Sequence, residues 1–347
     1  MVCEKKIVVL GTGGTIAGTA DSKTDTVGYR PAQVGVAQLL QALPDLTTVL
    51  GSHELVSEQV AQVDSKNMSF AIWRQLAERV NHYLQQAEVS AVVMTHGTDT
   101  LEETAYFLDA VLPAALLACK PVVLTGAMRA ANALMSDGKQ NLMDAVTVAL
   151  TEGACGVMVQ FAGTLHRAID VQKVHTYRLD AFGSGDVGPL GHVENGRLFL
   201  HRNWPVTHAS HTMLAIEQIA EPRIEIVMSH AGCSGAVVDA LLQPSPMPLR
   251  GLVVAGTGNG TVHHELEAAL RRATAAGVKV LIASRCPQGR VITTRHSEFA
   301  SAGMLSPVKA RVALMLALMA QGTQHDLQPH RSDAAKQNQG TQVDVGC

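Results

Sequence analysis

The chain has 347 residues, 47% of them hydrophobic and 16% charged, and its formal net charge is −3. That composition excludes a disordered chain, which needs low hydrophobicity and high net charge. The near-neutral balance, the absence of any Lys/Arg cluster and an aromatic content of 3% leave no footprint for nucleic acid or an anionic membrane surface. Lys6–Leu10 reads as a short, continuously apolar strand running into Gly11-Thr-Gly-Gly14. Ala32–Leu43 reads as a helix closed by Pro44, and Ser69–Gln86 has helical spacing of apolar residues. Ala91–Met94 is a strand leading into Thr95-His-Gly-Thr-Asp99, and Thr100–Val111 is a helix with Thr100 and Glu103 in capping-box spacing. Strand Pro121–Leu124, helix Gly138–Leu150 and strand Gly156–Phe161 follow. Short apolar strands alternating with helices mean a parallel sheet. Asn195-Gly196, between Val193 and Leu198–Leu200, is a hairpin signal. His201–Glu221 has little periodicity and reads as a linker. Strands Ile224–Met228 and Leu252–Ala255, helix Val262–Ala276, strand Val278–Ala283 and helix Pro307–Met319 resume the alternation; beyond Gln321 the polar, Gln-rich chain reads as a mobile tail.

The resulting expectation is an α/β protein of about two domains: an N-terminal catalytic α/β domain over 1–203, a linker over 204–222, a C-terminal α/β domain over 223–324 and a disordered tail over 325–347. A membrane-spanning helix needs about 20 continuous apolar residues, and runs such as Ala114–Ala118 are short and flanked by Pro113 and Lys120. The four apolar residues after Lys5-Lys6 fall short of a signal peptide's apolar core, so a cytoplasmic location is expected, or a periplasmic one if a leader has been removed. The six cysteines (3, 119, 155, 233, 286, 347) lack any C-x-x-C spacing. They imply neither a disulfide framework nor a zinc knuckle and read mostly as buried small apolar residues.

In open parallel sheets, ligands bind beyond the carboxyl ends of strands, and two unusual loops fall there. Gly11-Thr-Gly-Gly-Thr-Ile-Ala-Gly18 fails the dinucleotide fingerprint because Ile16 occupies the third Gly position, and it fails the P-loop pattern because no Lys follows. A catalytic loop remains, as does a plain tight βα turn, which this segment alone favours. Thr95-His-Gly-Thr-Asp-Thr100 places three hydroxyls, an imidazole and a carboxylate at a strand end and helix start, more than a helix cap requires. His264-Glu265 does not complete H-E-x-x-H, since Ala268 takes the second His position, and no G-x-S-x-G is present. No cofactor or metal is implied.

These two loops resemble the paired signature motifs of the bacterial-type L-asparaginases, the asparaginase/glutaminase family, closer to the high-affinity type II pattern. The similarity runs from Ile7 to about Leu318 and includes Leu101–Leu108, Gly126-Ala-Met-Arg129, Gly188-Pro-Leu-Gly191, Gly256-Thr-Gly-Asn-Gly260 and Lys309-Ala-Arg311. The resemblance implies a larger N-terminal domain with a flavodoxin-like parallel sheet, a smaller C-terminal parallel α/β domain, and a homotetramer of intimate dimers. It implies hydrolysis of L-asparagine to L-aspartate and ammonia, in competition with a dual glutaminase-asparaginase and with a non-catalytic amino-acid sensor. Its site residues map to Thr15 as nucleophile, Tyr29 on the loop Ala20–Arg30 as its partner, and Thr98, Asp99 and Lys173. Gly14, Ser65 and the following Lys66 map to substrate binding, with Thr98 and Asp99, and Asn259 is donated in trans. Two departures stand out. Many members carry Gln or Glu where this chain has Lys66. The loop after Arg285-Cys-Pro-Gln-Gly289 is several residues short, so that Glu298 is the candidate for the family's acidic residue in trans. Cys119 lies near one half of the disulfide found in secreted members, and Gln85–Ser90, around the other half, holds no Cys.

The chemistry has its own logic. A Thr hydroxyl is a weak nucleophile that needs a base and oxyanion stabilisation. A desolvated Lys173 with a lowered pKa would accept a proton near Thr98, and Asp99 would balance it and hold the substrate's α-ammonium. Residue chemistry alone leaves Thr15 and Thr98 open as the nucleophile; the resemblance favours Thr15. The polar segment Asp21–Arg30, with Gly28 as a hinge, is expected to be a lid.

Overall fold

The computed structural model describes residues 5–43, 45–205 and 220–327, with side chains described to residue 321. In chain order the elements are β1 (Lys6–Gly13), β2 (Thr19–Ala20), β3 (Tyr29–Arg30), α1 (Val36–Gln41), α2 (Leu46–Leu50), β4 (Glu54–Val63), α3 (Phe70–Gln85), β5 (Val89–Thr95), α4 (Leu101–Val111), α5 (Ala114–Leu117), β6 (Val122–Thr125), α6 (Gly138–Leu150) and β7 (Val157–Phe161). They continue as β8 (Thr164–Arg167), β9 (Gln172–Lys173), β10 (Phe182–Gly183), β11 (Gly191–Glu194), β12 (Arg197–Leu200), β13 (Arg223–Met228), α7 (Ala236–Leu241), β14 (Leu249–Gly256), α8 (His264–Ala275), β15 (Lys279–Ser284), β16 (Ala300–Ser301) and α9 (Pro307–Leu327).

Eight strands form the larger sheet in the order β12-β11-β8-β7-β6-β5-β1-β4. Its first five strands by sequence are parallel and lie in the order β4-β1-β5-β6-β7, which is the flavodoxin-like 2-1-3-4-5. The side chains obey the period of two along each strand. Val8, Leu10, Val92, Met94 and Leu124 pack with α3 and α4 on one face. Ile7, Val9, Ala91, Val93 and Val123 pack with α1, α2 and α6 on the other. Connections therefore leave β1 and β5 toward opposite faces, and a crevice opens between their carboxyl ends. The second sheet, β13-β14-β15-β16, is wholly parallel. Its outer face packs on α8 through Val254, Leu252, Leu266 and Leu270. Its inner face meets α9, whose Ala310, Val312, Met315 and Met319 belong to the same core cluster as Phe107 and Leu108 of α4. The α/β class, with its larger mostly parallel N-terminal sheet and smaller parallel C-terminal sheet, is as expected. Among the described residues no helix is long and apolar enough to cross a membrane.

Several local expectations need correction. The helix expected over Ala32–Leu43 spans only Val36–Gln41, because Ala32 has φ +57° and cannot be helical; Pro44 lies outside the described residues. β4 was not expected: it is an edge strand whose polar residues face solvent on one side, so its apolar pattern is weak. Thr100 does not cap α4; its Oγ1 donates to the Ser65 carbonyl at 2.8 Å instead. The last helix reaches Leu327 rather than Met319, and 328–347 lie outside the described residues, as do 206–219 of the expected linker. Of the described cysteines only Cys233 is buried; Cys119 and Cys286 sit exposed in turns after α5 and β15. The Asn195-Gly196 hairpin forms as read, with φ +48° and +69° at the two turn residues and Glu194 opposite Arg197.

Candidate active site

The crevice between β1 and β5 is closed by three turns in backbone contact. Gly14, at φ +78°, lies so near the second turn that a Cβ on it would sit 2.3 Å from the Gly97 Cα. A Cβ on Gly97 would sit 2.5 Å from the Ser65 Oγ. Only glycine permits this approach. The Thr12 Oγ1 ties the first loop to the second by donating to the Thr95 carbonyl at 3.0 Å. Ser65 begins the short turn after β4; it is buried, and its Oγ accepts the Asp99 N–H at 3.2 Å.

Two groups of predicted residues come together here. The Thr15 hydroxyl, on the single turn Thr15–Ala17, lies 2.7 Å from the Tyr29 hydroxyl. Tyr29 is held there by the two-residue ladder in which Ala20 pairs with Tyr29 and Thr19 with Arg30. Beside it, the Lys173 Nζ donates to the Thr98 Oγ1 at 2.9 Å and to the Asp99 Oδ1 at 2.6 Å. Thr98 is buried, whereas the Asp99 side chain is 55% exposed against 18% for Lys173, so the carboxylate faces the open side of the crevice. The loop carrying Tyr29 is pinned by Asp25, which accepts the N–H groups of Val27 and Gly28, and by Thr26, whose hydroxyl lies 2.6 Å from that of Tyr177.

His96 has a structural part. Its ring is fully buried, and burial pulls its pKa down to about 4. The Trp73 Nε1–H donates to the Thr104 hydroxyl at 2.8 Å, the Thr104 hydroxyl contacts the His96 Nε2 at 2.9 Å, and the His96 Nδ1 contacts the Gly97 carbonyl at 2.7 Å. A neutral imidazole protonated on Nδ1 satisfies every link. It therefore fixes the turn from beneath rather than facing substrate. Gly126 supports the same turn from the other side: a Cβ there would sit 2.5 Å from the His96 carbonyl.

Lys66 points its ammonium away to Asp64, at 2.9 Å. Asp64 raises its pKa most, and the Asp99 and Tyr29 charges add to that, so the cation stands at the rim of the site. Asn259 follows β14 in the smaller sheet. Its amide is engaged at both ends with the Ile292 backbone, at 3.0 and 2.7 Å, at the wall of a cavity of about 480 Å³. Glu298 lines the same cavity and pairs with Arg271 at 2.9 Å. Within the chain neither is hydrogen-bonded to the Thr15 or Thr98 groups. Sequence reasoning gave no role to Glu102 or Lys309. The available signal for Lys309 was a cation in the first turn of the mostly apolar helix Pro307-Val-Lys-Ala-Arg-Val-Ala-Leu-Met-Leu316. Among the described residues no cluster of His, Cys, Asp and Glu is placed to hold a metal ion.

Hydroxyls, a lysine and a carboxylate converge at the switch point of this doubly wound sheet, a set of groups suited to nucleophilic attack on a carbonyl. Residues 6–206 match the family model described as asparaginase, N-terminal, and residues 223–329 match the glutaminase/asparaginase C-terminal domain. The chain is 36% identical over 322 residues to L-asparaginase 2 of Escherichia coli (strain K12), covering 90% of this chain and 88% of that protein. It is 34% identical over 321 residues to the glutaminase-asparaginase of Pseudomonas fluorescens biotype A, covering 90% and 86%. The crystal structure of a probable cytoplasmic L-asparaginase from Campylobacter jejuni superposes with a TM-score of 0.83 at 37% identity, covering 90% of this chain and 95% of that one. The chain belongs to the asparaginase/glutaminase family of amidohydrolases.

Proposed function

We propose that this protein hydrolyses L-asparagine to L-aspartate and ammonia through a threonine acyl-enzyme. The observation that carries the reading is the pair of contacts on two adjoining turns: Thr15 with Tyr29 at 2.7 Å, and Lys173 with Thr98 and Asp99 at 2.9 and 2.6 Å. In this reading Thr15 attacks the side-chain amide carbon and passes its proton through Tyr29. The C–N bond breaks as the departing nitrogen takes a proton and leaves as ammonia. Thr98, polarised by Lys173, then activates the water that attacks the ester and releases Thr15. The backbone N–H groups of Thr15 and Thr98 suit the developing oxyanion. Asp99, open to the crevice, takes the α-ammonium, and the turns around Gly14, Ser65 and Lys66 take the α-carboxylate.

A second reading, a dual glutaminase-asparaginase, is supported by the relatives: proteins bearing either name are similar at 34–36% identity. We further propose intimate dimers paired into a homotetramer. Asn259 would complete the neighbour's site, with the cavity that it and Glu298 line turned toward that site. A cytoplasmic location suits the exposed, unpaired Cys119 and Cys286, while the likeness to L-asparaginase 2 proteins supports a type II pattern. The test is ammonia release from L-asparagine, L-glutamine and a non-amide amino acid, with sedimentation at the assay concentration. Release from neither amide refutes amidohydrolysis here, equal release from both selects the dual enzyme, and a fully active monomer removes Asn259 from the site.

A further inference from the structure

The segment 168–173 brings Lys173 to the site. Its start is a turn in which the N–H groups of Asp170 and Val171 donate to the Arg167 carbonyl at 3.1 and 3.0 Å, and its end pairs with Phe182–Gly183. Two charged residues from other elements hold the stretch between. Lys309, in the first turn of α9, is 1% exposed. Its Nζ donates to the carbonyls of Ala168, Ile169 and Val171 at 2.9, 2.9 and 2.5 Å, so all three ammonium protons are spent on one loop. Glu102, in the first turn of α4 and three positions after Asp99, faces the backbone N–H of Lys173 and lies within the field of Lys309. Asp109 and Asp170 are the other carboxylates in that field.

A buried ammonium is a costly way to fill a core. Methionine, one heavy atom shorter, would fill most of the same space without desolvating a charge. Three carbonyls aimed at one atom do what apolar packing cannot: they fix the direction of successive peptide planes. The last of them, on Val171, is two residues before Lys173.

We propose that Lys309 is a positioning residue for Lys173, setting the backbone of 168–171 and with it the place at which the Lys173 ammonium meets Thr98 and Asp99. The proposal rests on the reading of Lys173 as part of the hydrolytic machinery. The alternative is a staple that merely fastens α9 to the larger sheet. A staple changes how much protein is folded; a positioning residue changes kcat per folded molecule, and does so only while Lys173 is there to be positioned.

The experiment is a double-mutant cycle of Lys309→Met and Lys173→Met, scored as kcat per folded molecule with L-asparagine. Lys309→Met alone is expected to lower kcat by roughly 100-fold, the scale of an ångström-sized misplacement. In the Lys173→Met background it is expected to cause no further loss. An unchanged kcat per folded molecule, or the same fold loss in both backgrounds, overturns the proposal. Should Lys309→Met not fold, Glu102→Gln takes its place. That change keeps the side chain's shape, removes the charge beside Lys309, and is expected to lower kcat by about 10-fold, only when Lys173 is present; an additive loss overturns the proposal equally. A Lys173→Met enzyme with full activity refutes the role of Lys173 itself, and a wild-type chain that releases no ammonia refutes the reading of the function. Each of these failures is separate from a failure of positioning.

Discussion

Gly14→Ala tests whether the first and second turns must touch. The added methyl would lie 2.3 Å from the Gly97 Cα and 2.4 Å from its nitrogen, both backbone atoms that no rotamer change can move. Carbon atoms pack at about 3.5 Å or more, so one of the two turns must retreat by about 3.5 − 2.3 = 1.2 Å. A shift of that size between reacting groups costs on the order of 100-fold in rate. The positive φ adds strain of about 1–3 kcal/mol, which a protein with a stability of about 5–15 kcal/mol survives. Gly51→Ala is the matched control: φ is +56° there too, and nothing lies within 4 Å of the added atom. Both variants should melt a few degrees low, and only Gly14→Ala should lose ammonia release per folded molecule. If Gly14→Ala keeps kcat within about threefold of wild type, the misplacement argument is wrong and the contact of the two turns is incidental.

Tyr29→Phe removes the hydroxyl 2.7 Å from Thr15 and should lower kcat by roughly 100-fold or more, the usual worth of positioned proton transfer, while aspartate binding measured by calorimetry stays close to wild type. Thr104→Val breaks the chain from Trp73 to His96 and leaves two buried groups unpaired, at about 1–3 kcal/mol each; a Tm unchanged from wild type would contradict the chain. Glu103 is pushed up to about 7, first by burial and then by the Glu102 charge. The folded state thus holds this proton up to about pH 7 while the unfolded chain loses it near 4.5. The stabilisation is full below pH 4.5 and is lost as the pH rises through 7. Glu103→Gln mimics the protonated form, so it should raise Tm above wild type at pH 8, with the two proteins converging at pH 4.5; a difference independent of pH would refute the assignment.

How much could be read in the sequence depends on where the information lies. Continuously apolar strands and strong helical stripes were legible because both faces of the larger sheet are covered, so that burial is written into every position of Ile7–Leu10 or Ala91–Met94. The Asn195-Gly196 turn was legible because its positive φ angles demand those residues. An edge strand such as Glu54–Val63 buries little and leaves no such mark. Thr100 illustrates a different loss: its spacing to Glu103 fits a helix cap, but the Ser65 carbonyl, from a distant turn, offers a better partner. The site's residue types were readable as chemistry only in part. That Lys173 reaches both Thr98 and Asp99 depends on a loop held by Lys309, about 140 positions away, which no local pattern encodes. The His96 imidazole, one of the groups that exceed what a helix cap requires, is a buried brace whose partners Thr104 and Trp73 come from two helices.

The placement of α9 has a consequence for the molecule as a whole. Its apolar side completes the core beneath α4 while its flank closes the smaller sheet. The helix is shared: α4 of the larger half and β13, β14 and β15 of the smaller one rest on the same element, so neither half can shift without moving a wall of the other. Melting should likewise proceed as one transition rather than two, since neither half keeps its core once the shared helix lets go.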